Sequence, residues 1–568
     1  MWIIDVWLFA LSCILYDAFG KMGSNVKGGN ANQPGLLQQC RSAHGPTFSG
    51  QYCQVFLRQE TVQYFVGICV PDSCGEDDVQ MLMLPVCQYM IGCHSFQILF
   101  TVLYANCFWG VSHTAESSCL NTGINLYGTL KTNGSYNSTG DTPLCFPQSC
   151  MYRCLQAFSL QTTSQGVFST SSSITKGGYS SLNGIRVLSL LWIICGHSAQ
   201  FPVINNLDNY KDWKKTVESS PVHVLTISGP VFLAVDTFLL LGGLLSARSL
   251  LGSIERAEDK LSPSLVANYL FRRIKRIQPL HLFIMCLTIG LISLVQWGPY
   301  WFPFIDTLMD CKTYWWANLL LISNLLPVHE ICIPWTWYLS LDFQCYATTP
   351  LGVFVVVAGG LLLMTTVSGA VITALLQLPV FQPTSENYVL YYYVKPYTRY
   401  GPFLIGILTG IYLTTKKDQL LKQKWQAALG WFCCLSLMAV VVGLAYILRE
   451  TPAYPSVPHA LYQGLHRPLW ALAVTWIILA CEEGYGGKPR SLLSFEFWVP
   501  LSNISFACYL THPVFIILYI GMQQTPIHYS NINFMYLFLG NLVLTLVVSY
   551  VFTVLVEKPY LLLKWSST

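Results

Sequence analysis

What this sequence lacks first is charge. Of its 568 residues, 27 are acidic and 31 basic, and charged residues make up 10% of the chain, against about 25% in soluble globular proteins. A chain this poor in charge does not cover most of its surface with water. The formal net charge is only +4, too small for the basic footprint of a nucleic-acid-binding protein, so no nucleic-acid partner is expected. There is no internal repeat, which excludes a solenoid. A clean secretory leader is also missing. The opening MWIIDVWLFALSCILY is apolar but lacks a basic n-region and carries Asp5, so it is a poor signal peptide and could equally be a core helix of the first module.

What is present is apolar length. Hydrophobic residues make up 53% of the chain and the mean hydropathy is +0.47. Runs near 20 residues recur through the C-terminal two thirds, each long enough to cross a bilayer core of about 30 Å. The fold class is therefore an all-α polytopic membrane protein with a small disulfide-rich N-terminal module in the lumen or outside the cell. Ten spans are expected near 186–205, 222–246, 279–297, 335–357, 360–380, 399–415, 427–448, 466–481, 498–521 and 534–556. The stretch 312–331 is short, ends in polar residues and lies between Cys311 and Cys332. It reads as re-entrant or interfacial, with those two cysteines bonded.

Orientation follows from Lys and Arg in short loops. Arg248, Arg256, Lys260, Arg272, Arg273, Lys275 and Arg276 crowd 247–278, four lysines lie in 416–426, and Lys558 and Lys564 lie in the tail. With ten spans all three clusters fall on one side, which makes that side cytosolic.

The N-terminal third divides into 1–93, 94–111 and 112–183. Cys40, Cys53, Cys69, Cys74, Cys87 and Cys93 stand in a short polar module, and six cysteines there suggest three disulfides in an oxidising compartment. Fifteen connectivities are possible and spacing does not choose. If the module is lumenal and Arg186 cytosolic, the chain must cross between them, and 94–111 (HSFQILFTVLYANCFWGV) is the candidate extra span. Two glycosylation acceptor patterns, at Asn133 and Asn137, oppose that crossing. Residues 112–183 read as a linker rich in Ser, Thr, Asn and Gly. No metal site is expected.

The membrane part, 184–568, opens with GIRVLSLLWIICGH. From Arg186 to His197 is eleven residues, about 1,100° of helix, so both share one face about 16 Å apart. That sets His197 near the bilayer midplane, where ionisable groups usually line a cavity or reaction path. Asp236 in the next span is expected at similar depth, where a carboxylate can fix the imidazole's tautomer. His512, Asp342 and Arg399 are further ionisable residues within spans.

These residues resemble the acyltransferase-3 family of integral membrane O-acyltransferases. Gly184–His197 is similar to its Arg-x10-His motif. Val235-Asp236, FRRIKRIQPLHL at 271–282, Trp337–Tyr346 and Ser505–Pro513 resemble further family blocks in the family's order, with Asp342 where bacterial members usually have Glu. DAFGKMGSNVKGGN at 17–30, GQYC at 50–53 and GICVPDSCGEDDV at 67–79 resemble the cysteine-rich domain of the animal nose-resistant-to-fluoxetine branch. The resemblance implies acyl transfer, with acyl-CoA as donor, an alcohol as acceptor and no bound cofactor. By type and depth His197 fits the base, with Asp236 to orient it and His512 as the next candidate.

Acyl transfer to an alcohol needs a base for the hydroxyl and positive groups for the donor's phosphates. Arg186, Arg272, Arg273, Lys275 and Arg276 are the donor-binding candidates. No histidine is followed five residues later by Asp, and there is no Gly-x-Ser-x-Gly elbow. Direct transfer without an acyl-enzyme is therefore expected, in the endoplasmic reticulum or plasma membrane. The alternative is a lipid or small-molecule transporter, or a receptor-like protein, derived from the same fold without catalysis.

Overall fold

The computed structural model describes residues 18, 20, 30, 32–44, 48–59, 62–81, 100–108, 157–169, 179–205, 207–219, 231–258, 261–295, 298–327, 330–378, 380, 386–416, 419–448 and 454–562. The chain forms two compact units, one N-terminal and one running from Ala157 to the C-terminus.

The N-terminal unit is a three-stranded antiparallel sheet in the order β2-β1-β3, with β1 at Gly50–Gln59, β2 at Val62–Pro71 and β3 at Phe100–Phe108. Both faces of the central strand are covered, since Gln51, Tyr52, Cys53, Gln54, Val55 and Phe56 are all buried. A short helix α1, Leu37–Ser42, is tied to β2 by the disulfide Cys40–Cys69. The buried Tyr52 hydroxyl donates to the Pro34 carbonyl at 2.6 Å, and burial raises its pKa above the usual phenol range.

Two expectations fail here. The segment 94–111 supplies β3, so it is not a membrane helix. Its register, with Cys53 opposite Cys107 and Gln59 opposite Phe100, shows why. An apolar run rich in aromatic and β-branched residues serves a buried strand as readily as a helix, and β1 offers it an edge. Cys74 is a free thiol. It sits half-exposed in the turn after β2, its amide bonded to the Pro71 carbonyl at 3.0 Å. Cys53 is disulfide-bonded. Cys87, Cys93, the chain's opening residues and the two glycosylation patterns lie outside the described residues.

The second unit is helical. Among the described residues, eight helices are long and apolar enough to cross a membrane. They belong to Ser181–Asn205 (α3), Phe232–Glu255 (α5), Pro263–Leu294 (α6), Val355–Leu376 (α9), Lys424–Ile447 (α11), Val457–Glu482 (α12), Trp498–Gly521 (α13) and Asn531–Phe552 (α14). Before them stands α2 (Leu160–Phe168), and between them stand α4 (Tyr210–Ser219), α7 (Phe302–Leu319), α8 (Trp337–Ala347) and α10 (Gly401–Thr415). Two of the ten expected spans are thus shorter. Helix α8 ends at Ala347, and a separate turn with Pro350 follows before α9. At 1.5 Å per residue α8 covers about half the bilayer core. Cys311 and Cys332 are bonded as expected, tying α7 to the segment before α8.

Helices α5 and α10 meet backbone to backbone. A Cβ on Gly243 would stand 2.0 Å from the Phe403 carbonyl oxygen, and one on Gly406 would stand 2.1 Å from that of Leu240. Small residues permit this approach where apolar lipid gives helices little hydrophobic drive to associate. The same pair supplies much of the core: Leu239, Leu240, Leu244, Phe403, Leu404 and Ile407 are buried there.

Candidate active site

Helix α3 runs unbroken through both motif residues. The Arg186 guanidinium donates to Ser502 Oγ on α13 at 3.0 Å. His197 Nδ1 lies 2.9 Å from His512 Nε2 on the same partner helix. Eleven residues on α3 thus match ten on α13, so the two helices run parallel. On α13 the spacing Ser502, Ser505, Tyr509, His512 keeps one face toward α3.

The basic end holds a cavity of about 360 Å³ lined by Arg186, Arg272, Arg273 and Arg276. Three of these come from α6. Ser262 caps that helix by accepting from the Leu265 amide at 3.2 Å, and Pro263 starts it. The basic segment expected as a loop is therefore mostly ordered helix. Lys275, about 200° round from Arg273, is not in the cavity; its ammonium lies 5.8 Å from the centre of the Tyr560 ring.

Helix α8 forms the facing wall with Tyr338, Asp342 and Tyr346, one per turn. Asp342 makes a short ion pair with Arg273, whose guanidinium also lies 5.0 Å from the centre of the Tyr346 ring. Gly242 lets this wall close in, since a Cβ there would stand 3.1 Å from Asp342 Oδ1.

His197 lies deeper. Arg186 lines the cavity and His197 is about 16 Å further along α3; Ser505 lines it and His512 is about 10 Å further along α13. The two imidazole planes are 9° from parallel with centroids 5.2 Å apart, which with the 2.9 Å N–N contact sets the rings edge to edge, and Phe201 stacks on His197 at 5.1 Å. Aromatic rings link the levels: Tyr338 to Tyr509 at 5.4 Å, and Tyr509 to His512 at 6.3 Å.

Asp236 is not part of this constellation. Helix α5 begins at Phe232, and it is Ala234 and Val235 that pack against Ile193 of α3, so Asp236 turns away from α3. There Arg399 Nε donates to Asp236 Oδ1 at 3.2 Å, and Arg467 Nε lies 3.9 Å from Oδ2. Arg399 also donates to the Phe232 carbonyl at 3.2 Å and faces the rings of Trp337 and Tyr393. Arg467 donates to the Thr398 carbonyl at 3.0 Å and covers Tyr392. A carboxylate held by two guanidiniums cannot orient His197; its neighbour is His512. Arg467 was not among the expected site residues, although an arginine within the expected span 466–481 is itself a signal.

Residues 179–554 match the model of the acyltransferase-3 family, described as an acyltransferase domain. The chain belongs to this family. Residues 11–83 match the N-terminal domain of nose-resistant-to-fluoxetine proteins, which sets the chain in that branch. It is similar to nose resistant to fluoxetine protein 6 of Caenorhabditis elegans, at 26% identity over 97% of this chain and 77% of the relative. A second relative, regulator of hypoxia-inducible factor 1 of the same worm, is 21% identical over 66% of this chain and 78% of its own length. No solved structure matches. The protein is thus a multi-pass membrane member of an acyltransferase family, and both Arg186 and His197 fall inside the matched region.

Proposed function

We propose that the protein transfers an acyl group from acyl-CoA on the cytosolic side to the hydroxyl of an acceptor that reaches the site from the bilayer, in the endoplasmic reticulum or plasma membrane. The observation that carries this is the cavity shared by Arg186, Arg272, Arg273 and Arg276, joined through α3 to His197. Arginine forks suit phosphate oxygens. The flexible arm between a coenzyme A's phosphates and its thioester suits the gap from cavity to imidazole.

In this reading His197 takes the proton of the acceptor hydroxyl as the oxygen attacks the thioester carbonyl. The C–S bond breaks, and the leaving thiolate receives that proton from the imidazolium. Nothing is left on the enzyme. Cys195, two residues before His197, points about 200° round the helix, which argues against an acyl-thiol intermediate.

The test is acyl transfer by purified protein in nanodiscs with labelled acyl-CoA. His197→Ala is expected to lower kcat by about 10²–10⁴-fold, the usual contribution of a positioned base, with KM little changed. Arg186→Ala is expected to raise the donor KM more than it lowers kcat. Near-wild-type turnover in His197→Ala at matched insertion rejects the assignment.

A further inference from the structure

We infer that His512 is a positioning residue that fixes His197 in the tautomer with its proton on Nδ1 and its lone pair on Nε2. The inference rests on the proposed acyl transfer for its meaning and on hydrogen-bond geometry for its content.

The chain of donors has a fixed starting point. His512 Nδ1 lies 2.9 Å from the Cys508 carbonyl oxygen, one turn back on α13. A carbonyl oxygen only accepts, so His512 Nδ1 carries a proton. His512 is fully buried, and an extra charge on its ring would be costly there. Neutral His512 with its proton on Nδ1 has a lone pair on Nε2. That lone pair faces His197 Nδ1 at 2.9 Å, so His197 Nδ1 must donate. His197 is then left with an unprotonated Nε2.

This is the role expected of Asp236 and filled differently. A carboxylate partner would add a negative charge to the site; His512 adds only an acceptor. When His197 takes a proton on Nε2, its Nδ1–H still donates to His512, so the orienting bond persists through the proton transfer. The nearly coplanar hydrogen-bonded rings, 9° apart, and Phe201 stacked on His197 restrain rotation of the imidazole.

The experiment uses full-length protein, 15N-labelled at histidine, in nanodiscs. Nitrogen spectra give the protonation of each ring nitrogen, and His197→Gln identifies the His197 signals by their loss. In the wild type, His197 is expected with Nδ1 protonated and Nε2 bare. His512→Gln keeps an acceptor near the Nε2 position and is expected to preserve both the tautomer and most of kcat. His512→Phe removes the acceptor. It is expected to move the His197 proton to Nε2 and to lower kcat by about 10²-fold or more, as a wrong tautomer does in a hydrolase triad, with the donor KM little changed. A wild-type His197 protonated on Nε2 overturns the inference without any variant, as does an unchanged tautomer in folded His512→Phe. If wild type transfers no acyl group, the spectra still decide the tautomer, and only the catalytic reading falls.

Discussion

Arg273 and Asp342 form an ion pair at the basic end of the membrane unit, and Arg399 and Asp236 form another outside the cavity lining. The residue types are the same and the settings differ. Arg273 keeps 25% of its side chain exposed and shares a cavity with three further guanidiniums. Arg399 and Asp236 are both 0% exposed, and aromatic faces cover the arginine. The first cluster carries positive charge beyond what Asp342 offsets, with space for a ligand. The second spreads its charge over Arg467, backbone carbonyls and rings, and ties α5 and α12 to the turn Pro396–Arg399 that precedes α10. An ionisable residue in a span can therefore mark a ligand site or a lock between helices, and what separates them is the space beside it.

The largest expected effect comes from breaking the lock. Asp236→Ala leaves two guanidiniums buried without their carboxylate, and removing one partner of a buried pair costs about 3–5 kcal/mol. A sharp loss of monodisperse, folded protein is expected in thermal-shift chromatography. Asp342→Ala is expected to leave folding largely intact, because Arg273 can turn toward water. If Asp342→Ala unfolds the protein while Asp236→Ala does not, the two roles are reversed.

The next effect should appear in binding rather than stability. Arg272→Gln and Arg276→Gln each remove one charge from the cavity. A hydrogen bond to a charged group is worth about 1.5–3 kcal/mol, so acyl-CoA affinity is expected to fall by about 10–100-fold per substitution. Melting should move little, as for other substitutions outside a packed core. Lys275→Gln, outside the cavity, serves as the control and should leave affinity near wild type. Equal losses from all three would mean that the segment acts only as an orientation signal.

Much of this was legible in the sequence, for identifiable reasons. The Arg-x10-His spacing puts both residues on one helix face whatever surrounds the helix. The arginine-rich start of α6 stands out in a chain short of charge, and Cys311 and Cys332 bracket a segment too polar to be a span. Pairing between helices was not legible. About ten residues from the cytosolic end of its span, Asp236 is expected level with His197, but depth does not fix direction: Ala234 and Val235 pack on α3, and Asp236 turns to Arg399 and Arg467. The strand at Phe100–Phe108 lies in a run that also fits a membrane crossing, because a short apolar run satisfies both periods. Nothing in the spacing identified His512 as the neighbour of His197, since that contact joins helices 315 residues apart.

The smallest effect concerns a third carboxylate, sealed like Asp236 but at the rim. Glu483 follows α12 and is nearly buried. It accepts from the amides of Leu420 at 3.0 Å and Leu421 at 2.7 Å and from the Lys416 ammonium at 3.3 Å, pinning the connection between α10 and α11. Burial pushes its carboxyl pKa up, but the two amides and Lys416 outweigh burial and hold it below the ordinary value. A folded pKa below the unfolded one means stabilisation that is complete above the unfolded value, about 4.3, and lost as pH falls through the folded value. Glu483→Gln is therefore expected to lower stability by about 1–2 kcal/mol near pH 7. The gap to wild type should close as the pH is taken below about 4. Melts of the two proteins in nanodiscs across that range check it. A gap that stays constant to low pH would assign the stabilisation to the shape of the side chain rather than to its charge, and would set this rim contact apart from the buried lock.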